Sequence, residues 1–410
     1  MNRVVITGMG MLSPIGNTMQ DIVKSLLEGK SGIRQMPEWR SVTGLGTYLA
    51  GTVTEMPPQI IPRAFRRTMG RMAMLGAYAA MDAVRDSGLD EAVLGSGRAG
   101  VAMGSTTGSP EALEQFFGGY TVRKSIREQE GTLFMKVMSH TVAANVSAVL
   151  GIRGQQLAPG TACASSTQAI GMGFEAIGSG SQDVMVCGGA EEVHPTTAGV
   201  FDIVHAASRN FNETPSRSPR PFDRDRDGLV VGEGGAALVL ENYDHARKRG
   251  AAIYGEIAGY GTCCEPRHMT TPDVEGMRRC MQLAMASARI APSDLSYINA
   301  HATGTILGDA AEAEATRSAS WRTGDAVPVS STKGYVGHTL GACGAMEAIF
   351  CLLMMSEGFL APTLNLDAVA PDCEGIDHVR EVRRCRPNLI LSNNFAFGGV
   401  NASLVLKARP

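Results

Sequence analysis

The stretch Pro159-Gly-Thr-Ala-Cys-Ala-Ser-Ser-Thr-Gln-Ala-Ile170 places a cysteine between a turn and a helix. Pro159 and Gly160 predict the turn, and a helix-compatible run follows it directly. A thiol at a helix N-terminus meets free backbone amides and the positive end of the helix dipole, and both favour the nucleophilic thiolate. The small neighbours of Cys163 leave room for a ligand. The stretch therefore indicates either a buried structural cysteine or a catalytic nucleophile.

Short apolar runs and helical segments alternate on both sides of this stretch. The predicted strands are Val4–Thr7, Ala99–Met103, Val184–Cys187, Ala236–Leu240, Ile298–Ala300, Leu389–Leu391 and Ser403–Leu406. These runs lack strict alternation of apolar and polar residues, which is typical of strands covered by helices on both faces. The predicted helices are Met69–Ser87, Glu111–Gln115, Ala164–Gly178, Val274–Ala288, Asp309–Thr316 and Ala342–Glu357. The pattern predicts a layered α/β protein.

The size of the chain indicates more than one core region. Its 410 residues are 44% hydrophobic, which exceeds what a single simple core takes in, so we expect two domains sharing one sheet system. Around Cys163 and around His338 a reactive-looking residue precedes a helix rich in Gly and Ala. This similarity alone does not establish an internal duplication. We divide the chain into residues 1–250, which carry the cysteine, and residues 251–410, which carry the histidines.

Charge and composition exclude several classes of protein. The net charge of -3 gives no basic field to hold nucleic acid or an anionic membrane. The first residues do not resemble a signal peptide, and no run approaches about 18 uninterrupted apolar residues, so we expect a cytoplasmic protein without a membrane span. The nine cysteines are irregularly spaced and form no CxxC pair, which argues against disulfides and a structural metal site.

Two polar segments are long enough to predict functional loops. Residues 208–233 are charged and contain prolines, and residues 262–273 form a second such run. Long loops inside a compact domain commonly serve a function. We expect both segments to be functional loops.

Two histidines lie at positions where α/β proteins place their chemistry. His301 follows a predicted strand in Asn299-Ala-His-Ala-Thr-Gly-Thr305, and His338 lies just before a long apolar helix. The carboxyl end of a strand is a common location for functional residues. Either histidine alone is equally consistent with a structural role. Together with Cys163 they form a candidate nucleophilic site.

Four charged residues accompany these histidines. Lys333 lies in a glycine-bounded turn and is consistent with a solvated surface charge or with a site residue. Glu347 interrupts a strongly apolar helix, so it must be paired or hydrogen-bonded, because burying a lone carboxylate is costly. Asp309 and Glu312 fit carboxylates at a helix N-terminus, where they complement the dipole.

The segment Ser392-Asn-Asn-Phe-Ala-Phe-Gly-Gly-Val-Asn401 combines two aromatic residues with paired glycines. One interpretation is a tight turn with aromatic packing. The other is a hinged gate, formed by Phe395 and Phe397, whose backbone amides face a ligand.

Taken together, these motifs resemble the elongating β-ketoacyl-[acyl-carrier-protein] synthases of types I and II, in the thiolase-like superfamily. The resemblance rests on six motifs in order along the whole chain, namely Val4-Val-Ile-Thr-Gly-Met-Gly10, Gly160-Thr-Ala-Cys-Ala-Ser-Ser166, Pro221-Phe-Asp-Arg-Asp-Arg-Asp-Gly-Leu-Val-Val-Gly-Glu-Gly234, Ala300-His-Ala-Thr-Gly-Thr305, Lys333–His338 and Ser392–Asn401. It implies a five-layered αβαβα fold of two similar halves. It also implies a decarboxylative Claisen condensation between an acyl thioester and malonyl-acyl-carrier protein.

The resemblance also assigns roles to the site residues. Cys163 would accept the acyl group, and the amides of Cys163 and Phe397 would form the oxyanion hole. His301 and His338 would hold the malonyl thioester oxygen. Lys333 would orient and polarise the site, with Glu347 as its counter-charge and Asp309 and Glu312 in support. It implies no bound cofactor and no metal, because the substrates arrive on the phosphopantetheine of a carrier protein.

Several residues depart from the pattern of the resembled family. Ala302 and Ala396 stand where glycine is usual, and Ala302 would be strained if its φ were positive. Gly334 stands where serine is usual, and Tyr335 is unusual. Tyr335, Asn393-Asn394 and Ala396 resemble more weakly the aryl-polyene-type ketosynthases. Thr107 falls at an expected acyl-pocket position. The departures leave acyl-chain length, saturation and the pathway open.

The resemblance implies an acidic carrier protein as partner, so we expect a basic docking surface. Two clusters qualify, the first formed by Arg63, Arg66 and Arg67 and the second by Arg123, Lys124 and Arg127. Both also fit an ordinary solvated surface. The resemblance further implies a homodimer, with a heterodimer of related subunits as the alternative.

Two other functions compete with this interpretation, and the sequence argues against both. A thiolase carries a second catalytic cysteine near its C-terminus, where this chain has Phe395-Ala-Phe-Gly-Gly and its nearest cysteine is Cys385. A chain-length-factor-like subunit is a non-catalytic partner of another ketosynthase and lacks the nucleophile, whereas this chain keeps Cys163.

Overall fold

The structure is a computed structural model that describes residues 1–127, 129–319 and 326–409. Residues 1–250 contain the strands β1 Val4–Leu12, β2 Ile33–Gln35, β3 Leu49–Gly51, β4 Ala99–Gly104, β5 Gln156–Leu157, β6 Val184–Glu191, β7 Val231–Gly232 and β8 Gly234–Asn242. The strands that follow are β9 Gly255–Cys264, β10 Tyr297–Asn299, β11 Pro328–Ser330, β12 Phe359–Leu360, β13 Asp377–His378, β14 Arg383–Arg384, β15 Leu389–Ala396 and β16 Val400–Ala408.

Helices separate most of these strands. Before residue 250 they are α1 Met19–Glu28, α2 Arg63–Arg66, α3 Arg71–Ser87, α4 Glu91–Leu94, α5 Pro110–Arg123, α6 Gly131–Val137, α7 Thr141–Leu150, α8 Ser165–Gly178, α9 Pro195–Ile203 and α10 Tyr243–Lys248. After it they are α11 Val274–Ala288, α12 Ile306–Ala319, α13 Lys333–Val336 and α14 Cys343–Glu357.

The main sheet repeats one pattern of strand pairing. In the described residues its order is β13-β11-β10-β15-β16-β9-β1-β8-β6-β4-β5, and β1 pairs with β9 where the two halves meet. In the first half β1–β8 and β8–β6 are antiparallel, whereas β6–β4 and β4–β5 are parallel. In the second half β9–β16 and β16–β15 are antiparallel, whereas β15–β10 and β10–β11 are parallel. The fold therefore consists of two similar halves, which the sequence only suggests.

Three apolar clusters separate the protein into layers. On β8, Leu240 faces the central cluster around α8 and α14, while its neighbour Val239 faces the outer cluster around α3 and α7. On β16, Leu404 faces the same central cluster, and Val405 faces the cluster around α11 and α12. Alternate residues of a strand point to opposite faces, so each half of the sheet is covered on both sides. The predicted αβαβα arrangement is confirmed.

The two central helices pack closely against the sheet. A Cβ atom on Gly173 of α8 would lie 2.3 Å from the sulfur of Cys187, so only glycine permits this approach. The segment Leu340–Glu357, which contains α14, is apolar enough by composition to cross a membrane, yet 89% of it is buried inside the protein. It serves as the core helix of the second half.

The structure also contains elements that the sequence does not predict. The strand β9, Gly255–Cys264, carries Glu256 and three glycines, so it lacks a continuous apolar run. Helices α1 and α7 are missed as well, and α5 extends from the predicted Gln115 to Arg123. The predicted strands are correctly placed but several are too short, because Gly and polar residues continue them near the site.

Candidate active site

The nucleophile candidate lies at the start of a central helix, as predicted. Cys163 occupies the 3-10 turn Ala162–Ala164, which leads directly into α8. The turn begins with Ala162 at a φ of 48°, and the turn Leu340–Ala342 before α14 begins with Leu340 at a φ of 45°. Each of the two central helices, α8 and α14, is therefore preceded by a 3-10 turn that begins with a residue of positive φ.

The fold brings the three predicted reactive side chains together. The Nε2 atom of His338 lies 2.8 Å from the Sγ atom of Cys163. The ring of His301 meets that of His338 edge-on, with ring centroids 5.1 Å apart. One ligand atom from each residue lies within 4.8 Å of the other two, and all three side chains are buried. The site is shared by both halves.

Two carboxylates hold the loop that carries His301. Glu312 accepts a hydrogen bond from the His301 backbone N–H at 2.8 Å, and Asp309 accepts those of Thr303 and Gly304 at 3.0 and 3.1 Å. Both carboxylates belong to α12, but the bonds go to the loop before the helix. Besides the predicted interaction with the helix dipole, these side chains therefore hold the backbone around His301 in place.

Lys333 and Glu347 form a buried ion pair. The Nζ atom of Lys333 lies 2.5 Å from Oε1 of Glu347, and the two side chains are 1% and 3% exposed. Oε2 of Glu347 accepts a hydrogen bond from Asn394 Nδ2 at 2.7 Å. The alternative of a solvated lysine is wrong, while the pairing expected for Glu347 is confirmed.

Burial is the largest influence on the pKa values of Cys163, His301 and His338. Burial raises the pKa of the Cys163 thiol to about 12, although the Lys333 charge and the backbone N–H groups of Cys163 and Phe397 oppose this shift. Burial, followed by the Lys333 charge, lowers the pKa of His301 and of His338 well below its usual value. The helix start was expected to favour the thiolate, but desolvation outweighs it. The site at neutral pH thus holds a neutral thiol beside neutral imidazoles.

This protonation state predicts how alkylation of Cys163 depends on pH. Below its pKa, the thiolate fraction of a thiol rises about tenfold for each pH unit. We expect the rate of Cys163 alkylation by iodoacetamide to rise continuously from about pH 6 to about pH 9, because the raised pKa lies above this range. Peptide mass spectrometry would follow the modified residue. A rate that levels off near neutral pH would show instead a thiolate stabilised by His338.

A cavity of about 500 Å³ opens onto the three residues. Both predicted loops contribute to its wall, the first through 227–229 and the second through 269–272. Thr303 and Thr305 add hydroxyl groups. Since a mostly apolar cavity with a few polar groups is typical of a ligand site, this cavity is the route to Cys163.

The two aromatic residues of the predicted gate differ in their surroundings. Phe395 belongs to β15 and is buried, with its ring centroid 6.2 Å from that of His301. Phe397 follows the strand at the wall of the cavity, is 40% exposed and lies 5.9 Å from the ring of Phe201. Phe397 is thus placed at the entrance, and its backbone N–H faces the sulfur of Cys163.

The departures from the family pattern are accommodated without strain. Neither Ala302 nor Ala396 has a positive φ, so the cost expected for Ala302 does not arise. Tyr335 is fully buried in the core, where its hydroxyl donates to the carbonyl of Leu26 at 3.2 Å. It therefore belongs to the packing of the second half and not to the cavity wall.

The predicted pocket and docking residues lie outside the cavity. Thr107 is exposed and does not line it. Arg63, Arg67, Lys124 and Arg127 are exposed, and the half-buried Arg66 donates to the carbonyl of Ile61 at 3.0 Å. Their roles stay predictions.

Two residues of the site, Asn394 and Cys343, have no role predicted from the sequence. Asn394 lies within the quoted C-terminal segment, and its side chain contacts Glu347 and the ring of His301. Cys343 begins α14 and donates from its thiol to the carbonyl of Cys163 at 3.2 Å. A polar residue within a strand gives no signal of where its side chain points, whereas a second cysteine after His338 could have been noted.

A layered αβαβα protein that brings a buried cysteine and two histidines together where its two similar halves meet has the architecture of a thiolase-like condensing enzyme. Within this class the chain belongs to the β-ketoacyl synthase family. Residues 1–246 match the family described as "Beta-ketoacyl synthase, N-terminal domain", and residues 254–367 match "Beta-ketoacyl synthase, C-terminal domain". The chain is therefore an acyltransferase, and the thiolase alternative is rejected.

Individual relatives agree over the full length. The chain is 39% identical to the "3-oxoacyl-[acyl-carrier-protein] synthase 1" of Haemophilus influenzae, with 99% of both chains covered. It superimposes on a β-ketoacyl synthase from Burkholderia phymatum STM815 with a TM-score of 0.96 at 43% identity, covering all of both chains. It also matches a structure described as "The ishigamide ketosynthase/chain length factor", with a TM-score of 0.92, 31% identity and full coverage of both chains.

Proposed function

We propose that this chain joins an acyl thioester to malonyl-acyl-carrier protein by decarboxylative Claisen condensation, with Cys163 as the nucleophile. The observation that carries the proposal is the 2.8 Å contact between Cys163 Sγ and His338 Nε2 at the base of an open cavity. The names of the full-length relatives, which are 3-oxoacyl-[acyl-carrier-protein] synthases, support the carrier-bound substrates. This condensation would lengthen the acyl chain of a fatty acid or of a polyketide-type product.

In the first half-reaction the acyl group moves to Cys163. Sγ attacks the thioester carbonyl while Nε2 of His338 accepts the thiol proton. The carrier's thiolate leaves and takes a proton from solvent, so that Nε2 of His338 keeps the proton it accepted. The backbone N–H groups of Cys163 and Phe397 stabilise the oxyanion, an effect worth about 3 kcal/mol for each donor. His338 performs this role because it is the histidine in contact with Sγ.

In the second half-reaction the malonyl group loses its carboxylate as carbon dioxide. The electron pair left behind forms an enolate, whose oxygen lies against the N–H donors of His301 and His338. The enolate carbon then attacks the acyl carbonyl on Cys163, and the thiolate of Cys163 leaves and takes its proton back from Nε2 of His338. The positive charge of the buried Lys333 stabilises the enolate and the leaving thiolate of Cys163. The ion pair with Glu347 holds the Lys333 side chain in place. These steps require no metal and no redox cofactor.

Product analysis tests this assignment directly. Incubation with an acyl-carrier protein and malonyl-carrier protein is expected to release one carbon dioxide for each β-ketoacyl-carrier product. Transfer of acyl groups without release of carbon dioxide would contradict a condensing role.

The second candidate function is a non-catalytic subunit of the chain-length-factor type. It is favoured by the similarity to a structure described as a ketosynthase with a chain length factor. Such a subunit would have an unreactive site. The neutral Cys163–His338 pair inside an accessible cavity argues for the enzyme, and so we place this candidate second.

We propose a homodimer for the assembly, with a related heterodimer as the alternative. The edge strand β5 pairs only with β4 among the described strands, and so leaves its outer edge open. Exposed apolar side chains are concentrated on the helices α5 and α6 and the loop between them, namely Leu113, Phe117, Tyr120, Ile126 and Phe134. Large apolar patches of this kind mark interfaces, and a second copy would cover both features.

We propose that the acidic carrier protein docks on the predicted basic clusters. Charge reversal in Arg66→Glu or Lys124→Glu is expected to raise the KM for the acyl-carrier by at least about threefold while kcat changes little, because complementary charge steers association. The control is Lys24→Glu, which makes the same charge change at an exposed residue of α1. If the KM of both docking variants equals that of the control, the clusters do not bind the carrier.

The remaining assignments are proposals of the same kind. We propose a cytoplasmic protein without membrane or nucleic-acid partners. The apolar segment Leu340–Glu357 is buried as a core helix, and the net charge of -3 gives no basic field to attract nucleic acid. We also retain the division of the chain into a nucleophile-bearing part, 1–250, and a histidine-bearing part, 251–410.

A further inference from the structure

Asn394 occupies a point where both halves of the protein meet. Its side chain is buried on β15 and faces the central layer. The Oδ1 atom accepts a hydrogen bond from the hydroxyl of Thr167 on α8, and the Nδ2 atom donates to Oε2 of Glu347 at 2.7 Å. Because a carboxylate only accepts hydrogen bonds, these partners fix which end of the amide faces which side.

The space around this amide is shaped to admit it. A Cβ atom on Gly344 of α14 would lie 1.9 Å from Oγ1 of Thr167 and 2.8 Å from Oδ1 of Asn394. Any larger residue at position 344 would displace the Thr167–Asn394 hydrogen bond. Three elements of the fold therefore cooperate to hold one side-chain amide in a single orientation.

The fixed orientation directs the amide nitrogen of Asn394 at the ring of His301. The distance from Nδ2 of Asn394 to Nδ1 of His301 is 3.4 Å, and the same Nδ2 lies 3.2 Å from the sulfur of Cys343. An amide N–H can only donate, so a ring nitrogen that faces it must be the unprotonated one. A neutral imidazole with an unprotonated Nδ1 carries its proton on Nε2.

We propose that Asn394 is a positioning residue that holds His301 as the neutral Nε2–H tautomer and so prepares it to donate to the malonyl thioester oxygen. The proposal deepens the condensation mechanism above and rests on it for the identity of that oxygen. Acylation of Cys163 depends on His338, which contacts Sγ, and not on the tautomer of His301. Loss of the amide should therefore slow one half-reaction and spare the other.

The Asn394→Leu variant separates the two half-reactions. Acyl transfer to Cys163, followed by intact-protein mass spectrometry, is expected to stay within about threefold of the wild-type rate. Decarboxylation of malonyl-carrier protein, followed by release of carbon dioxide, is expected to fall by about a hundredfold, the usual size of a proton-donor contribution. A fall of both rates by the same factor would indicate general damage and would overturn the proposal.

Asn393→Leu provides the matched control. Asn393 is the buried neighbour of Asn394 on β15, but it faces the opposite side of the strand, where its Oδ1 accepts from Ser403 at 2.8 Å. Any cost of removing a buried amide from this strand applies to both variants. We expect the ratio of the two half-reaction rates to stay at the wild-type value in Asn393→Leu, and an equal change of this ratio in both variants would contradict the proposal.

Imidazole 15N chemical shifts test the tautomer independently of activity and of the two leucine variants. In protein labelled with 15N-histidine, the His301 resonances, assigned by their loss in His301→Ala, are expected to report a protonated Nε2 and an unprotonated Nδ1. A protonated Nδ1 in the wild type would overturn the inference even if condensation is demonstrated. Conversely, the expected tautomer in a protein that releases no carbon dioxide would contradict the proposed function alone.

Discussion

Replacing Glu347 with leucine is expected to lower the free energy of unfolding by about 3–5 kcal/mol, because the buried Lys333 charge loses its partner. Burial by itself would lower the pKa of Lys333, but the attraction of Glu347 and of other nearby groups raises it, so this lysine is charged at neutral pH. The same variant is expected to lose condensation activity, since an uncompensated Lys333 would move away from the site. Urea unfolding and product formation measure the two effects.

The double variant Lys333→Met/Glu347→Leu distinguishes stability from function. Replacing a buried ion pair by apolar residues of similar size is often neutral or stabilising, so most of the lost stability should return. Activity should not return, because the positive charge that favours the anionic intermediates is then absent. A double variant as active as the wild type would show that the pair is structural only.

The Cys163→Ala variant is expected to lose condensation turnover by at least about 10⁴-fold, the scale seen when a nucleophile is removed. The reason is chemical, since the acyl group then has no sulfur to which it can move. The fold should be retained, because alanine occupies less space than cysteine and Cys163 lines the cavity. Steady-state formation of β-ketoacyl-carrier product measures the loss, and thermal unfolding checks the fold.

Cys343→Ala is the control for this variant. Cys343 is also buried and its thiol lies 3.2 Å from the carbonyl oxygen of Cys163, so it is a second candidate nucleophile at the site. Unlike Cys163 it does not line the cavity, and we expect its variant to stay within about tenfold of the wild-type rate. If Cys343→Ala is the inactive variant and Cys163→Ala turns over, the nucleophile has been assigned to the wrong cysteine.

The candidate site residues could be located from the sequence because each lies at a boundary between elements. Pro159 and Gly160 announce the turn before Cys163, and His301 and His338 stand at the end of a strand and before a helix. The position of Glu347 in an apolar helix showed that it must have a partner, although only the family resemblance named Lys333. These signals are local and therefore visible in a linear sequence.

Other features could not be predicted, because they depend on contacts between segments that are distant in the sequence. The raised pKa of Cys163 comes from burial by both halves, whereas its sequence context points to the opposite shift. Asn394 gains its partners from α8, α14 and the His301 loop, and none of these is close to it in sequence. The strand β9 escaped prediction because pairing with β1 and β16 stabilises it despite its glycines.

The most direct test of a catalytic condensing role is a single-turnover experiment on the wild-type protein, followed by intact-protein mass spectrometry. Incubation with a panel of acyl-carrier thioesters is expected to add one acyl mass, located at Cys163 by peptide mapping. Addition of malonyl-carrier protein should then remove this mass while one β-ketoacyl-carrier product forms for each acyl group lost. A protein that gains no acyl mass from any donor, or keeps it after malonyl-carrier is added, would contradict the account and favour the non-catalytic partner subunit.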